Sequence, residues 1–119
     1  MKKVLIIDDE AKVVTSIAAL LKNNNYEVLG ANDAIEGFKV AKEQKPDLII
    51  LDILMPGMDG STLAANLKAT PQTKDIPLIF LTGLASGLEN TKRGSGTNIL
   101  VAKPFEAQEL LKIIAKNII

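Results

Sequence analysis

A chain of 119 residues lies within the size range of one domain around one hydrophobic core, and its 47% apolar, 24% charged composition excludes disorder as its ground state. Fourteen basic residues balance fourteen acidic ones, so no overall field favours nucleic acid or an anionic membrane. Cysteine and histidine are both missing, which excludes disulfides, thiol or imidazole catalysis and metal sites built on thiolate or imidazole. Carboxylates, lysines and hydroxyls are left to carry any chemistry.

Met1 is followed by two lysines and then four apolar residues, Val4 to Ile7, before Asp8 and Asp9 interrupt the run. That run is too short for a signal peptide, and none along the chain approaches the roughly eighteen residues of a membrane span, so a soluble, cytoplasmic protein is expected. Val4 to Ile7 reads as a first strand. Val13, Val14, Ile17, Leu20 and Leu21 then form the apolar stripe of a helix, closed by the turn signal Asn23-Asn24-Asn25. Tyr26 to Leu29 is less uniformly apolar and suits an edge strand. Ala34, Phe38 and Ala41 mark a second helix, with Asp33 as candidate N-cap and Lys45-Pro46-Asp47 as its stop.

Leu48 to Leu51 is the third strand; Leu63 and Leu67 mark a helix bounded by Asp59 and Thr70-Pro71; Leu78 to Leu81 is the fourth strand. A helix is expected between Thr82 and Gly94, weakened by Gly83, Ser86 and Gly87. After the turn Gly94-Ser95-Gly96, Ile99 to Val101 forms the fifth strand, and Leu110, Leu111, Ile113, Ile114 and Ile118 the last helix. Continuous apolar runs, as opposed to alternating ones, belong to strands buried on both faces of a parallel sheet. Strand and helix repeated five times, with right-handed crossovers, predicts a doubly wound α/β domain with a five-stranded parallel sheet spanning residues 1–119. Any output domain is expected to follow Ile119.

In open α/β sheets, ligands bind outside the carboxyl ends of the strands. The first strand runs into Asp8-Asp9, the third into Asp52 and the fourth into Thr82, and the fifth is followed by Lys103-Pro104. Each has an ordinary structural role open to it: Asp8 or Asp9 as a cap of the first helix, Asp52 as a turn residue before Met55-Pro56-Gly57, Lys103 as a solvated surface lysine. Their convergence on one rim favours a site. Three carboxylates held together repel, by about 4 kcal/mol for unit charges ~4 Å apart at an effective dielectric near 20, so a cation is implied. Mg²⁺, a hard ion that takes one or two carboxylates with waters and phosphate oxygens, suits these donors, and Lys103 adds a second positive charge. The pattern points to phosphoryl transfer. Asp52 would be the nucleophile, with Mg²⁺ held by Asp8 and Asp9, Lys103 on the other side, and the Thr82 hydroxyl donating to a phosphoryl oxygen. Gly83 leaves the backbone open to the incoming group.

Asp8-Asp9, Asp52 with Met55-Pro56-Gly57-Met58-Asp59-Gly60, Thr82 and Lys103-Pro104-Phe105 resemble, over essentially the whole chain, the receiver domain of bacterial two-component response regulators, the CheY-like family. The resemblance implies a flavodoxin-like sheet in strand order 2-1-3-4-5. It makes Asp52 the phosphoacceptor and Asp9 a direct Mg²⁺ ligand, with Asp8 acting mainly through metal-bound water and the Leu54 backbone carbonyl as a further ligand. It implies a phosphohistidine donor on a sensor histidine kinase or histidine phosphotransfer protein, and catalysis limited to the chain's own phosphorylation and dephosphorylation. The signal would pass to a downstream protein or a C-terminal output domain, with no direct contact to nucleic acid or membrane. The Lys103–Pro104 bond resembles the family's cis peptide.

Three positions depart from the family pattern. Leu100 stands three residues before Lys103, where an aromatic residue usually follows the Thr hydroxyl, so the output surface is expected to respond differently or more weakly. Leu54 and Leu84 stand two residues beyond Asp52 and Thr82, where a polar side chain would orient an attacking water, so self-dephosphorylation is expected to be slow. Leu100 also permits a competing reading, a receiver-fold interaction module that works without phosphorylation; the intact set of Asp8, Asp9, Asp52, Thr82 and Lys103 argues against it. An aspartate-nucleophile phosphohydrolase of the haloacid-dehalogenase type would need a second Asp two residues after the first, and Asp52-Ile53-Leu54 lacks it. No glycine-rich nucleotide-binding pattern is present.

Overall fold

The computed structural model describes residues 1–52, 60–82, 91–93, 98–102 and 106–118, with backbone alone for residues 60, 61, 82, 91–93 and 98–102. In chain order the elements are β1 (Lys3–Ile7), α1 (Ala11–Lys22), β2 (Glu27–Ala31), α2 (Ala34–Gln44), β3 (Leu48–Asp52), α3 (Gly60–Lys68), β4 (Leu78–Thr82), β5 (Thr91–Arg93), β6 (Asn98–Ala102) and α4 (Ala107–Asn117). Five strands are parallel in the order β2-β1-β3-β4-β6, which is the expected 2-1-3-4-5 arrangement with β6 as the fifth strand.

Alternation along the strands divides the core into two layers. Val4 and Ile6 of β1, Leu48 and Ile50 of β3, and Ile79 and Leu81 of β4 pack with Ile17 and Leu21 of α1 and Leu110 and Ile114 of α4. Leu5, Ile7, Ile49, Leu51 and Leu78 face the other way, onto Ala31, Ala34 and Ala41 and onto Leu63, Ala64 and Leu67 of α3. Both sides of β1 and β3 are therefore buried, which is why these strands read as unbroken apolar runs. At the edge, β2 alternates less cleanly and keeps Glu27 and Gly30 exposed.

Local signals place the helix ends. Asp33 caps α2, its carboxylate accepting from the Glu36 backbone N–H at 2.7 Å. Lys45 ends that helix in the left-handed region at φ 46°, and Asn25 turns the chain into β2 at φ 70°. Helix α2 lies close on the sheet at Gly37, where a Cβ would come within 2.6 Å of Ile7 Cδ1.

One expected element is different. Thr91–Arg93 is a strand, antiparallel to β6 with Thr91 opposite Val101 and Arg93 opposite Ile99, so the sheet has a sixth, edge strand where a helix was expected. The hydrogen-bonding edge of β6 accounts for the difference. A short polar segment, tied to β6 through four residues that include Gly94 and Gly96, can fold back onto that edge as a hairpin. The remainder of the expected helix, residues 83–90, lies outside the described residues, as do Asp59 and the Gly94-Ser95-Gly96 turn.

Candidate functional site

The site is assembled by strand register. Ile7 pairs with Leu51 across β1 and β3, so the next residues along the two strands are Asp8 and Asp52. Asp8 continues the line of β1, its N–H donating to the Ala31 carbonyl at 3.1 Å. The period-2 alternation puts both aspartates on the side of Ile6 and Ile50, the layer covered by α1 and α4. Both are buried, Asp8 at 0% and Asp52 at 4% exposure, in the middle of the sheet's carboxyl rim.

Neither Asp8 nor Asp9 caps α1. The N-cap is Glu10, whose side chain makes no capping bond, while its backbone N–H donates to Asp8 Oδ1 at 2.9 Å. That short turn returns the Glu10 side chain to the rim. One carboxylate oxygen each of Asp8, Glu10 and Asp52 lie within 4.8 Å of one another, and Asp9, exposed, is outside this group. Between unit charges at such a distance the repulsion is about 3 kcal/mol at an effective dielectric near 20 and about 1 kcal/mol in water, and exposed Glu10 belongs near the second figure.

Thr82 ends β4 one residue past Leu81, the register partner of Asp52, and pairs with Ala102 of β6. Its backbone thus stands on the strand next to Asp52, and Lys103 follows Ala102 in sequence. Lys103, Leu54, Leu84 and the Lys103–Pro104 bond lie outside the described residues; Leu100 is placed by its backbone, opposite Phe80. Glu10 was not among the residues singled out from the sequence. Its signal was present as a third consecutive acid after Asp8-Asp9, but only the turn at Asp8 shows which of the later two comes back to the rim.

The donors suit a hard divalent cation. Three carboxylates, two of them buried, supply oxygen only, the ligand type that Mg²⁺ takes, and neither nitrogen nor sulfur competes. Among the described residues, no helix is long and apolar enough to cross a membrane.

Comparison with known proteins agrees with this geometry. The model of the response regulator receiver domain matches residues 4–115. Phosphate regulon transcriptional regulatory protein PhoB of Pseudomonas aeruginosa is 41% identical over 113 residues, 92% of this chain but 48% of that protein, so the chain spans about half the length of this relative. Among solved structures, chemotaxis response regulator CheY4 of Vibrio cholerae superposes with a TM-score of 0.85 at 29% identity, covering 99% of each chain. The receiver domain of a Pseudomonas aeruginosa sensor histidine kinase, solved with a magnesium ion coordinated in its active-site cleft, gives a TM-score of 0.83 at 27% identity over 98% of this chain and 96% of that one. Matched along nearly its whole length by the family model and by structures of the same fold, the chain belongs to the receiver domains of two-component response regulators.

Proposed function

We propose that the chain accepts a phosphoryl group on Asp52 from a phosphohistidine of a sensor histidine kinase or histidine phosphotransfer protein, in a Mg²⁺-dependent reaction. The observation that carries this reading is the buried Asp52 carboxylate, held beside Asp8 and Glu10 at the carboxyl rim. A carboxylate oxygen of Asp52 would attack phosphorus as the phosphorus–nitrogen bond to the donor imidazole breaks, the electron pair leaving with the imidazole. Such a transfer depends on alignment and charge neutralisation more than on covalent assistance.

The residues fit the metal. Asp8, Asp9, Asp52 and the Leu54 carbonyl would hold Mg²⁺, Asp8 mainly through water. Bound there, the ion supplies charge neutralisation for the phosphoryl oxygens. Burial of Asp52 and Asp8 in rigid strand ends fixes the nucleophile before the donor arrives. Thr82 would donate its hydroxyl to a phosphoryl oxygen, and Lys103 would place its ammonium on the side away from the metal. With these groups the chain catalyses its own phosphorylation and dephosphorylation, turning over no separate substrate.

Phosphorylation would alter the surface that a downstream protein or an attached output domain reads, in the cytoplasm where the donor kinase domains work. Leu54 and Leu84 would leave the acyl phosphate long-lived, and replacing them by Asn and Glu should shorten its lifetime. With Leu100 in place of an aromatic, amide shifts on adding a beryllofluoride mimic should concentrate at the pocket. The decisive experiment treats the protein with acetyl phosphate and Mg²⁺ and measures intact mass. A gain of one phosphoryl group mapped to Asp52 is expected. No labelling of Asp52 would favour an interaction module that works without phosphorylation.

A further inference from the structure

We infer that Glu10 is a positioning residue of the cation site, a further carboxylate that tightens Mg²⁺ binding at Asp52. This deepens the proposed function and rests on that reading. The family pattern assigns the metal to Asp8, Asp9 and Asp52, and Glu10 is outside it. In this chain the Glu10 carboxylate shares a 4.8 Å cluster with those of Asp8 and Asp52.

Two observations separate Glu10 from a merely solvated acid. It occupies the N-cap of α1, where Ser, Thr, Asp or Asn would satisfy a free N–H, yet its side chain makes no capping bond. The helix start has therefore not drawn this carboxylate inward. Its backbone N–H is held by Asp8 Oδ1 at 2.9 Å, so the same buried carboxylate that borders the cation site also sets the direction in which Glu10 leaves the chain. Glu10 is exposed, whereas Asp8 and Asp52 are buried. It thus stands at the mouth of the cluster, placed to act on the ion across solvent or through one of its bound waters.

The effect is electrostatic, and so is its test. Removing one negative charge beside a site for a divalent ion in a largely aqueous setting, partly screened by salt, weakens binding roughly three- to tenfold. Titration with MgCl2 by calorimetry, and with Mn²⁺ by water proton relaxation, reads this without any phosphodonor. At low salt, Glu10→Gln should bind both ions roughly three- to tenfold more weakly than wild type, and Glu10→Asp should lie between. The difference should close as KCl is raised to about 0.5 M, where screening reaches within a few ångströms. Thermal unfolding of Glu10→Gln without metal checks that the fold is retained, so that any loss of affinity is read at the ion.

Equal affinities for wild type and Glu10→Gln would overturn the inference, and so would a weakening that salt does not alter, which would mark a disturbed turn. If wild type binds and Asp52→Asn binds far more weakly while Glu10→Gln matches wild type, the role of Glu10 alone fails. If wild type itself binds neither ion at tens of millimolar, the Mg²⁺-dependent reading fails and this inference with it.

Discussion

The two ends of β3 carry the same residue type and use it in opposite ways. At the N-terminal end, Asp47 and Lys3 exchange two bonds: the Asp47 N–H donates to the Lys3 carbonyl at 2.7 Å, and the Lys3 N–H donates to Asp47 Oδ2 at 2.8 Å. At the C-terminal end, Asp52 sits buried among the carboxylates of Asp8 and Glu10. Register makes the difference. Lys3 begins β1 and offers a backbone donor to Asp47, whereas at the far end both strands run out on acids. The Asp47 carboxylate meets a backbone N–H and ties two strands together, whereas the clustered carboxylates of the rim offer oxygen donors that could hold a cation.

The largest expected effect breaks this comparison outright if it fails. Under acetyl phosphate and Mg²⁺, Asp52→Asn should lose all incorporation of a phosphoryl group by intact mass. Asp47→Asn should label as wild type does, because the changed group lies at the opposite end of the strand. Labelling of Asp52→Asn at another acid would remove Asp52 from the nucleophile's role.

Much of this contrast was legible in the sequence, for a physical reason. Strands buried on both faces leave unbroken apolar runs, so Asp8, Asp52 and Thr82 stand out as the polar residues that end them, and Asp33 and Lys45-Pro46 mark helix ends by local chemistry. What was hidden depends on contacts between distant segments. Asp8 Oδ1 holds the Glu10 N–H in the turn that brings Glu10 to the rim, whereas the sequence pointed to Asp9 and passed over Glu10. Thr91–Arg93 carries no alternation that announces a strand; it pairs because β6 offers an edge, which no local pattern encodes. The close approach of Gly37 to Ile7, which leaves no room for a Cβ, is likewise a contact between distant segments.

That contact gives the next effect in size. Gly37→Val would put a Cβ 2.6 Å from Ile7 Cδ1 and 2.9 Å from Ile7 Cγ1, and the added methyls would overpack the layer between α2 and β1. A loss of about 2–3 kcal/mol is expected by urea unfolding. Gly37→Ala should lose less, since alanine recovers up to about 1 kcal/mol of helix propensity. Ile7 immediately precedes Asp8, so pushing it aside should also weaken Mg²⁺ binding. Unchanged metal affinity in a destabilised Gly37→Val would show that the site end of β1 is held independently of α2.

A smaller effect separates the two ends by ligand. At ten times its dissociation constant, Mg²⁺ should add about 1.4 kcal/mol to stability, a rise of roughly 5 °C in Tm. Asp47→Asn should keep that rise, and Asp52→Asn should lose most of it. Equal shifts in all three proteins would place the stabilising metal away from the Asp52 rim.

The smallest effect, that of Asp47→Asn, is read against Asp47→Ala and tests the anchored end by itself. In Asp47→Ala the Lys3 N–H loses its acceptor in a half-buried position, which should cost about 1–2 kcal/mol in unfolding free energy. Asp47→Asn keeps an amide oxygen for the same N–H and removes only the charge, so it should cost well under about 1 kcal/mol. The backbone bond from the Asp47 N–H to the Lys3 carbonyl is untouched in both, which confines the comparison to one side-chain oxygen. If Asn costs as much as Ala, the charge is what holds β1 to β3 at this end. Asp47, just before β3, and Asp52 at its end would then share an electrostatic role that the Lys3 geometry assigns to hydrogen bonding.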